Sequence, residues 1–147
     1  MNVMILFKEK IDLPKVSVLA IGLWFIALVL SMIIMGVLGV DPQTDNDWGV
    51  NHKEYWVFEA IIIPLFVLIS IVVLTLFFRK FAITEVEWKV EGLVTGIVIM
   101  AWQFVLDTIV LVFLFSNGLD YFIAMVTISY LFIPLWALLA RFISLRT

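Results

Sequence analysis

The stretch VSVLAIGLWFIALVLSMIIMGVLGV, Val16 to Val40, contains no charged residue. Three further apolar stretches of similar length follow it, and each contains at most one acidic residue. A helix needs roughly 20 apolar residues to cross a hydrocarbon core of about 30 Å, so every one of these stretches is long enough to span a bilayer. The sequence therefore predicts a single membrane domain over residues 1–147, with spans at about 16–40, 55–78, 92–116 and 121–140.

The composition agrees with this prediction and excludes several classes of function. The hydrophobic fraction is 65%, well above the roughly 45–50% of soluble domains. The chain has no cysteine and one histidine, His52, so thiolate metal sites, disulfides and histidine-rich metal centres are not expected. The net charge of −3, without a basic cluster longer than two residues, argues against nucleic-acid binding. We expect no cofactor, no metal and no enzymatic activity.

The connections between the apolar stretches are short, which favours antiparallel neighbours. The predicted fold is an all-α, antiparallel four-helix transmembrane bundle. Gly22 and Gly92 are 70 residues apart, and Pro64 and Pro134 have the same spacing. This pattern suggests two tandem helical hairpins, although small membrane bundles also share such features by chance.

Lysine and arginine are distributed unevenly around the predicted spans. Lys53 is the one basic residue in the two loops on one side. The N-terminal segment, the central loop and the C-terminal tail, on the other side, contain the rest: Lys8, Lys10, Lys15, Arg79, Lys80, Lys89, Arg141 and Arg146. The positive-inside rule then predicts a multi-pass protein of the cell membrane with both termini in the cytoplasm.

The predicted outer loop, Asp41 to Glu54, reads DPQTDNDWGVNHKE. Asp45 and Asp47 suggest calcium binding, but Gly49 occupies a ligand position of the EF-hand pattern, and the twelfth position lacks its glutamate. We therefore interpret the loop as a solvated acidic turn.

Asp107 is the most informative polar residue because it lies close to the predicted midplane. At a rise of about 1.5 Å per residue, it lies roughly 13 Å below the outer end of its span. The same depth on the first span falls near Ser31. A carboxylate at this depth is costly, so Asp107 should face the bundle and accept a hydrogen bond from Tyr130 or Gln103, or, when protonated, donate one to the Ala60 carbonyl. Glu59 lies nearer the surface and completes the candidate intramembrane polar site.

Small residues predict where the helices pack. Gly92 and Gly96 form a GxxxG motif on the third span, and such residues let two helices approach closely. Pro64 and Pro134 are further candidate packing positions. On the first span, Ala20, Ala27 and Ser31 form a small-residue face, which we expect to contact another chain.

Two interpretations of Asp107 follow. In one, Asp107 and Gln103 join helices and fix their register. In the other, Asp107 binds a proton or cation during coupled transport, because intramembrane acids are often functional.

The segment from Glu91 to Arg141 resembles a pattern in small four-helix integral membrane proteins of unknown function from archaea and bacteria. The matching residues are Glu91-Gly92, Gly96, Leu106-Asp107, Asp120-Tyr121-Phe122, Tyr130-Leu131 and Ile133-Pro134. The resemblance covers about a third of the chain, and it implies a four-span fold without implying an activity.

The sequence as a whole favours a non-catalytic polytopic membrane protein, an accessory or structural subunit of a larger membrane complex. Its expected partners are the lipid bilayer and other membrane subunits or further copies of itself. The alternative is a small proton- or cation-coupled transporter or channel that uses Asp107.

Overall fold

A computed structural model describes residues 11–39, 53–82, 87–110 and 130–146. These residues form four helices, which we number in chain order: α1 (Leu13–Leu38), α2 (Lys53–Phe81), α3 (Trp88–Asp107) and α4 (Ile133–Ser144). The described part of the chain contains no strand. The prediction of an all-α fold is confirmed.

Local chemistry sets both ends of α1. Asp12 precedes the helix, and its side chain accepts a hydrogen bond from the Lys15 amide at 3.2 Å, while Pro14 lies in the first turn. Proline is well tolerated there because the first amides of a helix have no intrahelical acceptor. Gly39 ends the helix in the left-handed conformation, with φ of 70°. Only glycine adopts this conformation without strain.

The six helix ends that can be compared lie two to four residues from the predicted span boundaries. The helix α2 continues past Arg79 and Lys80 to Phe81, and α3 begins at Trp88, four residues before the expected start at Gly92. The helix α4 continues to Ser144, so Arg141 lies inside it. The predicted ends at residues 116 and 121 lie outside the described residues.

Contacts between side chains give the direction of each helix. Lys15 on α1 lies near Phe81 at the end of α2, whereas Ile34 packs with Phe58 near the start of α2, so these two helices are antiparallel. The helices α3 and α4 are also antiparallel, because the start of α3 contacts the end of α4. The bundle therefore consists of two antiparallel hairpins, α1–α2 and α3–α4.

The hairpins pack side by side. Within the described ranges, α1 packs against α2 and α3, and α4 packs against α2 and α3. The Cα atoms of α1 and α4 stay more than 8 Å apart, as do those of α2 and α3. One end of the bundle, where α1 and α3 begin and α2 and α4 end, includes five exposed cations, and we call it the basic end: Lys15, Arg79, Lys80, Lys89 and Arg146.

Three helices in the described part of the chain are long and apolar enough to cross a membrane, judged by length and composition: Leu13–Leu38, Glu54–Phe81 and Trp88–Val110. The described part of α4 is a shorter apolar helix of 12 residues. The protein is thus a helical membrane protein.

The core of the bundle is built mainly from small and branched side chains of all four helices, with Ala20, Phe78, Ala137 and Ala140 fully buried.

Candidate functional site

Three side-chain hydrogen bonds join α1 to α3 among the described residues. Nearest the start of α1, Trp102 Nε1 donates to Ser17 Oγ at 2.9 Å. Further along, Gln103 Nε2 donates to the Ala20 carbonyl at 3.3 Å. The third bond runs from Trp24 Nε1 to Asp107 Oδ1 at 2.7 Å. Each bond satisfies a polar group that would otherwise lie in hydrocarbon, where an unmade hydrogen bond costs several kcal/mol. The α1–α3 interface therefore concentrates polar contacts at membrane depth.

The partner of Asp107 differs from the partners that the sequence suggested. The Trp24 indole donates to its carboxylate, and Gln103, although it also faces α1, bonds to the Ala20 backbone instead. Trp24 was not among the partners predicted from the sequence. An indole N–H and an acid on two spans that run in the same direction are the sequence features that could have predicted this hydrogen bond.

Tyr130 and Ser31 do not share the level of Asp107. Gly92 lies closest to Leu138 and Gly96 to Pro134, and this register places Tyr130 opposite Met100, seven residues and about 10 Å from Asp107 along α3. Ser31 is likewise seven residues beyond the contact point at Trp24. The register of the described helices therefore does not bring Tyr130 or Ser31 to the level of Asp107.

Glu59 is part of a separate local contact. Tyr55 donates to the Glu59 carboxylate at 2.6 Å, one turn apart on α2. Pro64, a suggested packing position, is exposed on α2 instead. The structure therefore divides the candidate polar set: Asp107 and Gln103 lie at the α1–α3 interface, and the other members lie elsewhere.

Gly92 and Gly96 form the contact surface between α3 and α4. A Cβ atom added at Gly96 would lie 2.4 Å from the Cα of Pro134, and one added at Gly92 would lie 3.0 Å from the Cα of Leu138. Real Cβ atoms do not approach another atom as closely as 2.4 Å, so Gly96 is required where the helices cross, whereas a Cβ at Gly92 would need its neighbour to shift by a few tenths of an ångström. Pro134 thus packs directly on the GxxxG motif.

A buried ion pair joins the same two helices at the basic end. Arg141 Nε donates to Glu91 Oε2 at 2.7 Å, and the two side chains are only 7% and 5% exposed. The guanidinium also donates to Ser144 Oγ at 3.1 Å and lies 5.8 Å from the Phe78 ring centroid. Arg141 was predicted to follow the end of the fourth span, and its ion pair with Glu91 was not predicted. An acid at the start of one span and a base at the end of its antiparallel neighbour are the sequence features that could have predicted the pair.

A cavity of about 250 Å³ opens at the basic end, beneath the start of α1. It lies between α2 and α3, whose Cα atoms stay more than 8 Å apart in the described part of the chain. Its lining comes from three helices and the residues before α1: Ile11, Asp12, Lys15, Val16, Phe77, Phe81, Glu91 and Thr95. Lys15 pairs with Asp12 at 2.5 Å, and this contact holds the pKa of the exposed Asp12 carboxyl below its usual value.

The chemistry available in the described ranges is limited. No group of three or more histidine, cysteine, aspartate or glutamate side chains there could hold a metal ion. The polar contacts described above join helices in pairs, and the cavity at the basic end combines apolar walls with a few charges. Comparison with known proteins finds no matching family model, no similar curated protein and no similar solved structure.

Proposed function

We propose that this chain is a non-catalytic polytopic membrane protein that serves as an accessory or structural subunit of a larger membrane complex. The observation that carries this proposal is the hydrogen bond from Trp24 to Asp107. It engages Asp107, the acid predicted to lie near the membrane midplane, in holding α1 against α3. Gln103, which is 2% exposed, has the same role one turn away.

A structural role for Asp107 is consistent with the rest of the α1–α3 interface. Interhelical hydrogen bonds within membranes are worth about 0.6 kcal/mol on average, so three of them together fix register more than they add stability. The cavity at the basic end does not include Asp107 or Gln103 among its lining residues. Asp107 and Gln103 therefore lie apart from this cavity.

The face of α1 that is turned away from the bundle supports association with another chain. Val18, Phe25 and Met32 repeat every seven residues and are 71%, 60% and 55% exposed. The small-residue face expected to fill this role is partly internal, because Ala20 is fully buried. A seven-residue repeat keeps one stripe directed at a neighbouring helix, which is the pattern that a partner helix recognises.

Crosslinking in native membranes tests the proposal. A photoreactive residue in place of Phe25 should form adducts with another protein, and these should co-purify with the chain in mild detergent. Leu68, 63% exposed on α2, provides a matched control on a different helix. Adducts to lipid alone from Phe25, together with purification of the chain without partners, would contradict the accessory role.

A second candidate function is coupled transport of a proton or cation through Asp107. Its support is the turn that follows: residues 108–110 have π-helical hydrogen bonding, which occurs often at functional sites. Asp107→Asn preserves shape but cannot exchange a proton. Under this hypothesis the variant folds yet loses pH-dependent flux in proteoliposomes. Under the structural hypothesis the wild-type protein shows no such flux.

We further propose that the basic end faces the cytoplasm and that α4 belongs to a fourth crossing. The five exposed cations of that end support the orientation. The apolar composition of α4 and its place in the bundle beside α2 and α3 support the fourth crossing.

A further inference from the structure

Two lysines beside the cavity at the basic end lie near the same aromatic ring, that of Phe81. Lys15 Nζ lies 5.2 Å from the Phe81 ring centroid, and Lys80 Nζ lies 5.3 Å from the same centroid. The two nitrogens are therefore within about 10.5 Å of each other, and both side chains are exposed. Lys15 also pairs with Asp12, but a lysine ammonium has three N–H donors, so an anionic group placed between the two flexible side chains can accept hydrogen bonds from both.

Apart from Thr95, the rest of the cavity is apolar or internally neutralised. Ile11, Val16 and Phe77 contribute apolar wall, and the ring of Phe81 extends it to the mouth. The Glu91 carboxylate lines the cavity but is paired with Arg141. A carboxylate neutralised in this way repels an incoming anion far less than a free one would.

The charge balance favours a ligand with one negative charge. Among the residues that the structure describes, the acids at this site are Asp12 and Glu91, and the cations are Lys15, Lys80 and Arg141. The excess is one positive charge. A phosphodiester carries one negative charge, and an apolar wall next to the cations suits the glycerol and the first methylenes of an acyl chain.

We infer that this cavity binds the headgroup of an anionic phospholipid, with the phosphate between Lys15 and Lys80 and the acyl chains along Val16, Phe77 and Phe81. The position in the fold supports a lipid. The cavity lies at the ends of three helices that are long and apolar enough to span a bilayer, which is where lipid phosphates lie. Basic residues at this depth attract anionic lipids.

Native mass spectrometry of the purified chain tests this inference. The protein in detergent is titrated with phosphatidylglycerol or with phosphatidylcholine of the same acyl chains, and retained lipid is counted. One lysine near an anionic surface contributes roughly a fivefold gain in affinity, so phosphatidylglycerol should bind about 30-fold more tightly than phosphatidylcholine. Lys15→Gln combined with Lys80→Gln should abolish this preference, and each single variant should reduce it about fivefold.

A matched control separates the cavity from general surface charge. Lys89→Gln combined with Arg146→Gln removes the same charge from the same end, but Lys89 lies over Trp88 and Arg146 over Phe142, and neither of these rings lines the cavity as Phe81 does. This control should keep the preference for phosphatidylglycerol. An equal loss in both double variants, or tight binding of both lipids to the wild type, would overturn the inference. Inorganic phosphate at millimolar concentration should not displace the lipid; if it does, the site binds a small anion and the lipid assignment is wrong.

Discussion

The contact at Gly96 gives the sharpest quantitative prediction. Gly96→Ala places a Cβ 2.4 Å from the Cα of Pro134 and 3.0 Å from the Cβ of Ala137. Non-bonded carbons are most stable at about 3.5–4.0 Å, so α3 and α4 must separate by about 1 Å where they cross. The nearest atom belongs to the backbone of α4, and a side-chain rotation cannot relieve the clash.

The expected cost follows from two opposing terms. Overpacking a tight contact costs about 1–3 kcal/mol, and a backbone clash of this size lies at the upper end of that range. Alanine is favoured over glycine in a helix by up to about 1 kcal/mol, which offsets part of the cost. We expect the free energy of unfolding to fall by about 2 kcal/mol. A Cβ at Gly92 would lie 3.0 Å from its nearest neighbour, so Gly92→Ala should lower the free energy of unfolding by less than Gly96→Ala does.

Unfolding in mixed micelles with an increasing fraction of SDS, followed by far-UV circular dichroism, measures these differences. Gly36→Ala is the matched control, because no atom lies within 4 Å of the added Cβ on this exposed part of α1. That variant should be unchanged or slightly more stable. If Gly96→Ala is as stable as Gly36→Ala, α3 and α4 do not cross at this distance and the packing argument is refuted.

Three further predictions concern the ion pair, the intramembrane hydrogen bond and the topology. Glu91→Leu alone leaves a buried guanidinium without its carboxylate and should cost about 3–5 kcal/mol, whereas adding Arg141→Leu should recover most of that loss in a double-mutant cycle. A double variant no more stable than Glu91→Leu would argue against the pair. Trp24→Phe keeps the ring but removes the indole donor, so the same SDS titration should show a loss of about 1 kcal/mol; no loss would mean that the α1–α3 hydrogen bond adds nothing measurable. Cysteines introduced at Asp45 and Glu85 should react with an impermeant reagent from outside and from the cytoplasm, respectively, and labelling of both from one side would exclude the proposed topology.

Several features of the site could be predicted from local patterns, and others could not. The spacing of Gly92 and Gly96 predicts a close helix contact, and α4 lies on that surface. The pattern does not name the facing residues, Pro134 and Leu138. Asp107 could be recognised as a polar residue at depth. Its donor could not, because that depends on the offset between α1 and α3, which side-chain packing determines.

The charged residues at the ends of the spans likewise have partners that local sequence patterns do not identify. Arg141 and Glu91 lie 50 residues apart in sequence. Considered singly, each charge predicts the end of an apolar segment, because an isolated ion in hydrocarbon is unstable. Paired, they neutralise each other, and α3 and α4 extend beyond the predicted boundaries. A helix can therefore extend beyond its apolar segment where it shares a charge pair with a neighbouring helix.

The sequence by itself determined that this is a helical membrane protein with antiparallel neighbours, because the length and apolarity of a segment decide whether it can cross a bilayer without reference to any other segment. Only the tertiary structure decided which residues meet: Trp24 with Asp107, Glu91 with Arg141, and Lys15 and Lys80 with the ring of Phe81. These contacts depend on the relative offset and rotation of helices, which arise from close packing of many side chains at once. The candidate sites of this protein are products of that packing.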